Sequence, residues 1–322
     1  MKKLIEIKEL SKEFPIKKGF FNRQVGAVHA VNNVNLDIFE GETLGLVGES
    51  GCGKSTTGRC ILGLTDITKG SVEIDGINIT NASQKTLKSL RRRMQIIFQN
   101  PYSSLNPRMS ILESLKEPFV VHKTLKGKAL NIRLSELLDM VGLSTSVLNR
   151  YPHEFSGGQR QRIVIARALA LNPDFIVADE PVSSLDVSIQ AQIINLLEDL
   201  KKQLGLTYLF ISHDLSVVKY VSNRVAVMYL GEIIELAPTD LLFSSPKHPY
   251  TQALLSAIPV PDPTANKEKR ILLEGDLPSP ANPPSGCKFH TRCRYVMDKC
   301  KTLIPMQTEP EKDHFVKCHL FT

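Results

Sequence analysis

The chain has 322 residues, 42% hydrophobic and 23% charged, ordinary proportions for a globular protein that exclude a disordered, collagen-like or coiled-coil chain. No stretch approaches the ~20 consecutive apolar residues needed to cross a bilayer, and the length suits one large domain with an appendage. The net charge of +7 comes from interspersed residues, and the one dense run, Arg91-Arg92-Arg93, is too short to indicate nucleic acid.

In chain order, Met1-Lys2-Lys3-Leu4-Ile5-Glu6 puts a carboxylate where a signal peptide needs apolar residues, which argues against export. Leu4 to Ile7 and Val34 to Ile38 alternate apolar and polar residues, as half-buried strands do. After a turn at Phe39-Glu40-Gly41-Glu42, Thr43 to Val47 is short and nearly all apolar, the pattern of a strand buried on both faces of a parallel sheet. Similar runs recur at Gln95 to Phe98, Phe175 to Ala178 and Tyr208 to Ile211, with helical patterns between them, notably Ile189 to Leu204. Alternating strand and helix predicts an α/β fold with a mainly parallel sheet. From about Ser110 to Ala170 strong strand signals are missing. Apolar residues at helical spacing in Ser135 to Val141, ending at Gly142, predict a helical insertion there.

Gly48-Glu49-Ser50-Gly51-Cys52-Gly53-Lys54-Ser55 fits G-x-x-x-x-G-K-[ST], directly after the buried-looking strand and before a helix-compatible stretch to Leu64. The glycines let several N–H groups turn inward, and the helix N-terminus adds positive partial charge. Lys54 then reaches the β- and γ-phosphates, and the Ser55 hydroxyl ligates magnesium. Phe175 to Ala178 runs into two adjacent carboxylates. Asp179 suits magnesium and Glu180 suits a general base acting on water. Phe155-Ser156-Gly157-Gly158-Gln159, at the start of another helical run, makes a second anion-binding end. One triphosphate in one chain does not need two such ends; a dimer that sandwiches ATP does.

This ordered set resembles the ATP-binding cassette (ABC) ATPases over about residues 1–258. Gln99 matches the family's Q-loop, Phe155 to Gln159 its signature, with phenylalanine where leucine is usual, Ser184-Leu185-Asp186 its D-loop, and His213 its switch histidine. The resemblance implies a P-loop NTPase fold with a RecA-like parallel core, an antiparallel β subdomain, and a helical subdomain at about residues 100–170. It implies that the loop from Gly48 through Thr56 surrounds the phosphates and that Gln99 and Asp179 share magnesium with Ser55. His213 orients the attacking water. Ser156, Gly157, Gly158 and Gln159 face the nucleotide of the opposite subunit, and Asp186 couples the two sites. Phe14 is the candidate ring for stacking on adenine, with Phe20 and Phe21 as competitors.

From Pro259 the texture changes to a proline-rich connection, with Pro278, Pro280, Pro283 and Pro284 further along, leading to Cys287, Cys293, Cys300 and Cys318. A reduced late cluster favours metal over disulfides, and four thiolates suit zinc or an iron–sulfur cluster. Cys52 and Cys60 need not bind metal. Leu277 to Cys293, Val316 to Leu320 and Gln99 to Pro107 resemble the oligopeptide and dipeptide permease ATPases, and Gly58-Arg59 resembles the second of their two ATPase subunits. That resemblance implies a C-terminal extension over 259–322 with a [4Fe-4S] cluster, zinc being the alternative. It implies a paralogous ATPase subunit or second copy as partner, two transmembrane permease subunits, and an extracellular binding protein acting indirectly. The chain would work peripherally at the cytoplasmic face of the membrane, with no nucleic acid. Import of nickel or another small solute is the nearby alternative. A soluble ABC ATPase acting on nucleic acid or ribosomes is the alternative of a different class, though no long coiled-coil insertion, second cassette or basic arm supports it. An exporter is disfavoured by the cysteine tail.

Overall fold

The computed structural model describes residues 2–19, 23–258 and 271–322. Phe20, Phe21, Pro259, Pro261 and Pro263 lie outside the described residues. The strands are β1 (Lys3–Lys18), β2 (Arg23–Phe39), β3 (Thr43–Val47), β4 (Lys69–Ile74), β5 (Ile77–Asn78), β6 (Met94–Ile97), β7 (Phe175–Asp179), β8 (Thr207–Ile211), β9 (Arg224–Tyr229), β10 (Glu232–Pro238), β11 (Gln307–Glu311) and β12 (His314–Lys317). The helices are α1 (Lys54–Ile61), α2 (Gln84–Arg93), α3 (Pro101–Ser104), α4 (Ile111–His122), α5 (Gly127–Met140), α6 (Gly157–Ala168), α7 (Val187–Leu204), α8 (Leu215–Val221), α9 (Thr239–Ser244), α10 (Pro249–Ser256) and α11 (Asp298–Thr302). The chain divides into two compact units, one formed by residues 1–38, 43–81 and 212–322, the other by 39–42 and 82–211. Among the described residues no helix is long and apolar enough to cross a membrane.

The first unit holds an antiparallel sheet in the order β2-β1-β4-β5. Ile5 pairs with Ile74 and Ile7 with Val72, and all four side chains are buried. In β2, Val34, Leu36 and Ile38 are buried while Asn33 and Asn35 are exposed, so the period-2 pattern sets which face is covered. The same unit contains β11-β12-β10-β9-β3. Its β3 is buried throughout and pairs with β9 in parallel, Leu46 opposite Ala226. The chain's last strands extend this sheet, since β12 pairs antiparallel with β10 at Glu235–Val316 and Leu236–Phe315.

A buried polar knot fastens that extension. The carboxylate of Glu235 and the ring of His314 are fully buried, and His314 Nε2 lies 2.7 Å from Glu235 Oε1. Glu235 also accepts from the backbone N–H groups of Lys247 at 2.7 Å and His248 at 2.9 Å. A buried carboxylate is tolerable only when its oxygens are satisfied in this way. His248 Nδ1 in turn accepts from the N–H of Tyr250 at 3.1 Å and caps α10. One carboxylate therefore ties together β10, α10 and β12.

The second unit contains the parallel run β6-β7-β8, with Ile96 opposite Val177 and Val177 opposite Leu209. β7 and β8 are buried along their whole length, as their mostly apolar sequences favour, with Asp179 and Thr207 as buried polar exceptions. The insertion between β6 and β7 is helical, as expected. Ser110 opens α4 with a capping box completed by Glu113, and α5 buries Leu130, Leu134, Leu137 and Leu138 at helical spacing.

Burial pushes His248 down from 6.5 to about 4, against the pull of Glu235. Between those values the unfolded chain binds more protons than the folded one, so stability is present above about pH 6.5 and is lost as pH falls toward 4. The loss totals on the order of 3 kcal/mol. Urea unfolding at pH 7 and pH 5 should show a larger drop for the wild type than for His248→Asn, which keeps a cap acceptor but does not titrate. Equal drops would remove His248 as the cause.

Candidate functional site

In the first unit the chain leaves β3 and turns through the glycine-rich loop into α1. Gly53, at φ 107°, is the cap of α1, and a Cβ there would lie 2.1 Å from the carbonyl oxygen of Ala30. A Cβ at Gly48 would lie 2.2 Å from the carbonyl oxygen of Met228. The loop is thus threaded between β2 and β9 so closely that no side chain fits at either position. The N–H of Gly231 donates to the carbonyl of Cys52 at 2.9 Å and pins the loop from the β9–β10 turn. Lys54 is buried, and its ammonium donates to the carbonyls of Gly48 at 2.8 Å and Glu49 at 2.9 Å. Two main-chain acceptors therefore hold the cation over the loop, where an incoming phosphate would compete for it. The loop presents Ser50 and Gly51 at its crest, then Cys52, Ser55 and Thr56 around the start of α1. Burial raises the Cys52 thiol despite the pull of Lys54, so it remains a neutral apolar filler.

The same unit carries His213, exposed just before α8, where Asp214 caps the helix by accepting from Ser216 N–H at 2.9 Å and Val217 N–H at 3.3 Å. Phe14, on β1, is 42% exposed, with the Lys12 ammonium 4.9 Å from its ring centre. An aromatic this open is available for stacking.

In the second unit β7 delivers Asp179, buried, and then Glu180. Glu180 sits at φ 48°, the left-handed region that costs a non-glycine residue on the order of 1 kcal/mol or more. Its N–H donates to the carbonyl of Ile211 at 2.9 Å. Gln99 Nε2 donates to Glu180 Oε2 at 2.8 Å. The amide nitrogen is committed to the carboxylate, which leaves the amide oxygen for a cation. The carboxylate of Asp179 and the amide oxygen of Gln99 are hard donors of the kind that suits magnesium, and in the first unit the Ser55 hydroxyl is another.

Ser156 caps α6 in a capping box: its hydroxyl accepts from Gln159 N–H at 3.3 Å, while Gln159 Oε1 accepts from Ser156 N–H at 3.1 Å. The hydroxyl proton stays available to an outside acceptor. A Cβ at Gly158 would lie 2.6 Å from Ile189 Cγ2, and one at Gly157 would lie 3.2 Å from Leu185 Cδ2. The glycines expected to bind an anion therefore also let α7 and the segment before it close on α6. Phe155 is buried under the Arg150 guanidinium, 4.6 Å from its ring, so the bulkier ring fits. Asp186 opens α7, exposed and with no side-chain cap bond.

The cysteine tail differs from expectation. All six cysteines are free thiols. Cys287 is pushed up to about 12, chiefly by burial and further by the charges of Cys300, Cys318 and Cys293, and Cys318 is pushed up to about 11, chiefly by burial and further by Cys293, Cys300 and Glu235. The N–H of Cys287 donates to the carbonyl of Cys300 at 2.9 Å, so these two residues lie close together. Yet among the described residues no three His, Cys, Asp or Glu side chains come together so as to hold a metal ion. The residues as placed therefore do not show the expected iron–sulfur cluster or zinc. Sequence spacing specified the donors but not their convergence. The tail contributes instead a residue that sequence reasoning missed: Arg292, whose guanidinium pairs with Glu49 of the phosphate loop at 2.9 Å. Tyr250, whose hydroxyl accepts from Glu49 N–H at 2.9 Å, was missed as well. Arg292 lies within the Leu277 to Cys293 stretch, but nothing local to either residue points to Glu49.

Residues 31–183 match the family described as ABC transporter, and residues 234–300 match the oligopeptide/dipeptide transporter C-terminal region. The chain is 54% identical to the oligopeptide transport ATP-binding protein AppF of Bacillus subtilis, across 99% of this chain and 98% of that protein. It is 53% identical to the putative oligopeptide transport ATP-binding protein YkfD of the same organism, across 99% and 95%. Among solved structures, the dimeric post-hydrolysis state of the ATP-binding cassette MJ0796 with ADP and phosphate is 32% identical. It superposes with a TM-score of 0.64 over 73% of this chain and 98% of that one.

Because Gly158 is pressed against Ile189, Gly158→Ala should cost about 1–3 kcal/mol by overpacking. In an Ile189→Ala background the same change should cost nothing further. Thermal melts of the four chains measure this cycle, and additive losses would contradict the close packing of α6 on α7.

Proposed function

The chain belongs to the ABC transporter ATP-binding family, and from that premise we propose that it is the ATP-hydrolysing subunit of a peptide importer. The observation that carries the reading is the joint presence, across nearly the full length of the peptide-transport relatives, of the phosphate loop and the oligopeptide-type C-terminal region. We assign residues 1–258 to the ATPase, with its helical subdomain at about 100–170, and 259–322 to the extension.

The loop from Gly48 through Thr56 binds the phosphates through its N–H groups, the α1 N-terminus and Lys54. Magnesium, when bound, neutralises charge on the β- and γ-phosphates; Ser55, Asp179 and Gln99 would hold it. Glu180 takes a proton from the attacking water, and Gln99, bonded to its carboxylate, fixes the side chain for that task. His213 orients the same water, and Phe14 stacks on adenine. The turn from Ser156 to Gln159 donates to the γ-phosphate held by a partner ATPase, with Asp186 linking the two sites. The partner is a paralogous subunit or a second copy. Closure on ATP and reopening after hydrolysis drive two membrane-spanning permease subunits, so the chain works at the cytoplasmic membrane face and the peptide never touches it. A binding protein outside selects the solute, which leaves nickel or another small solute as the alternative cargo.

Glu180→Gln should keep MgATP affinity within about threefold of wild type, while phosphate release falls by about 100-fold or more. Full-rate hydrolysis in this variant would contradict the assignment of the base.

A further inference from the structure

Glu49, the second residue of the phosphate loop, is held from three sides. Its carbonyl accepts from the Lys54 ammonium at 2.9 Å. Its N–H donates to the hydroxyl of Tyr250 at 2.9 Å. Its carboxylate accepts twice from Arg292 Nη1, at 3.1 and 2.9 Å. The Arg292 side chain is only 9% exposed, so solvent screens this pair weakly. Arg292 closes the short turn His290–Arg292, directly after Phe289 and directly before Cys293. Phe289 is itself buried and packs edge-on against Tyr229 at 5.3 Å and Tyr250 at 5.5 Å. One short stretch of the C-terminal segment thus supplies both the cation on the Glu49 carboxylate and a ring that props the tyrosine on its N–H.

A carboxylate is an odd occupant of a loop built to gather N–H donors around a polyphosphate. Left uncompensated, it repels the ligand and draws loop donors toward itself. A buried guanidinium cancels the charge and fixes the side chain. We propose that Arg292 is a positioning residue of the nucleotide site, by which the C-terminal segment sets the charge and shape of the phosphate loop and so its affinity for MgATP. The proposal rests on reading that loop as the ATP site. It requires no metal at the cysteines. It gives the tail a role in nucleotide binding, apart from any contact with a permease.

The test is MgATP affinity of the full chain, measured by displacement of a fluorescent ATP analogue, together with the hydrolysis rate at saturating MgATP. Arg292→Ala should raise Kd and KM about tenfold and leave kcat within about twofold. Arg292→Lys should lose about threefold or less. Arg292→Ala combined with Glu49→Gln should recover affinity to within about threefold of wild type, because no carboxylate is left to neutralise. Should Arg292→Ala fail to fold, Arg292→Gln, alone and with Glu49→Gln, is measured in the same way. Affinity of the arginine variant within about twofold of wild type, or a double variant as weak as the single, would overturn the proposal, the second outcome leaving Arg292 a purely structural prop. A wild-type chain that does not bind MgATP would sink the reading of the loop instead.

Discussion

Everything chemical in the first unit depends on a close backbone approach. The phosphate loop passes so near the carbonyls of Ala30 and Met228 that Gly53 and Gly48 have no room for a Cβ. That squeeze fixes the turn out of β3, and with it the direction in which the loop N–H groups and the first turn of α1 point. Strand β3 can serve as the floor because it is nearly all apolar and is buried along its whole length. The lysine, the hydroxyls and the helix dipole all follow from where this one turn is placed.

The second unit shows a different economy, in which single residues serve packing and chemistry together. Glu180 is held in the left-handed region with its N–H on Ile211 and its carboxylate on Gln99. A strained backbone persists where its surroundings over-determine it, and such a residue is well suited to hold one carboxylate in one orientation. Ser156 closes its own helix and still keeps a hydroxyl proton to donate. Gly158, expected to form part of an anion-binding turn, also clears space for Ile189.

What was legible in the sequence was what is local. The phosphate loop, the carboxylates at the end of β7 and the capped start of α6 each occupy a few consecutive residues whose backbone demands name the amino acids. The helical insertion was legible from its spacing, because α5 buries leucines three and four residues apart. Contacts made between distant residues were not legible. Glu49 and Arg292 are 243 positions apart, and Glu235 and His314 are 79 apart; nothing in either neighbourhood signals its partner. The cysteines show the limit from the other side. Their count and lateness pointed to a metal, but spacing carries no information on whether thiols converge, and among the described residues no three are placed so as to hold a metal ion.

The central claim is that the loop from Gly48 through Thr56 is where this chain holds MgATP. Titration calorimetry of the full chain and of Lys54→Ala tests it most directly. The account predicts about one MgATP bound per wild-type chain and affinity lower by about 100-fold or more in the variant, which removes the buried ammonium and its hydrogen bonds. Equal affinity in the two chains would contradict it.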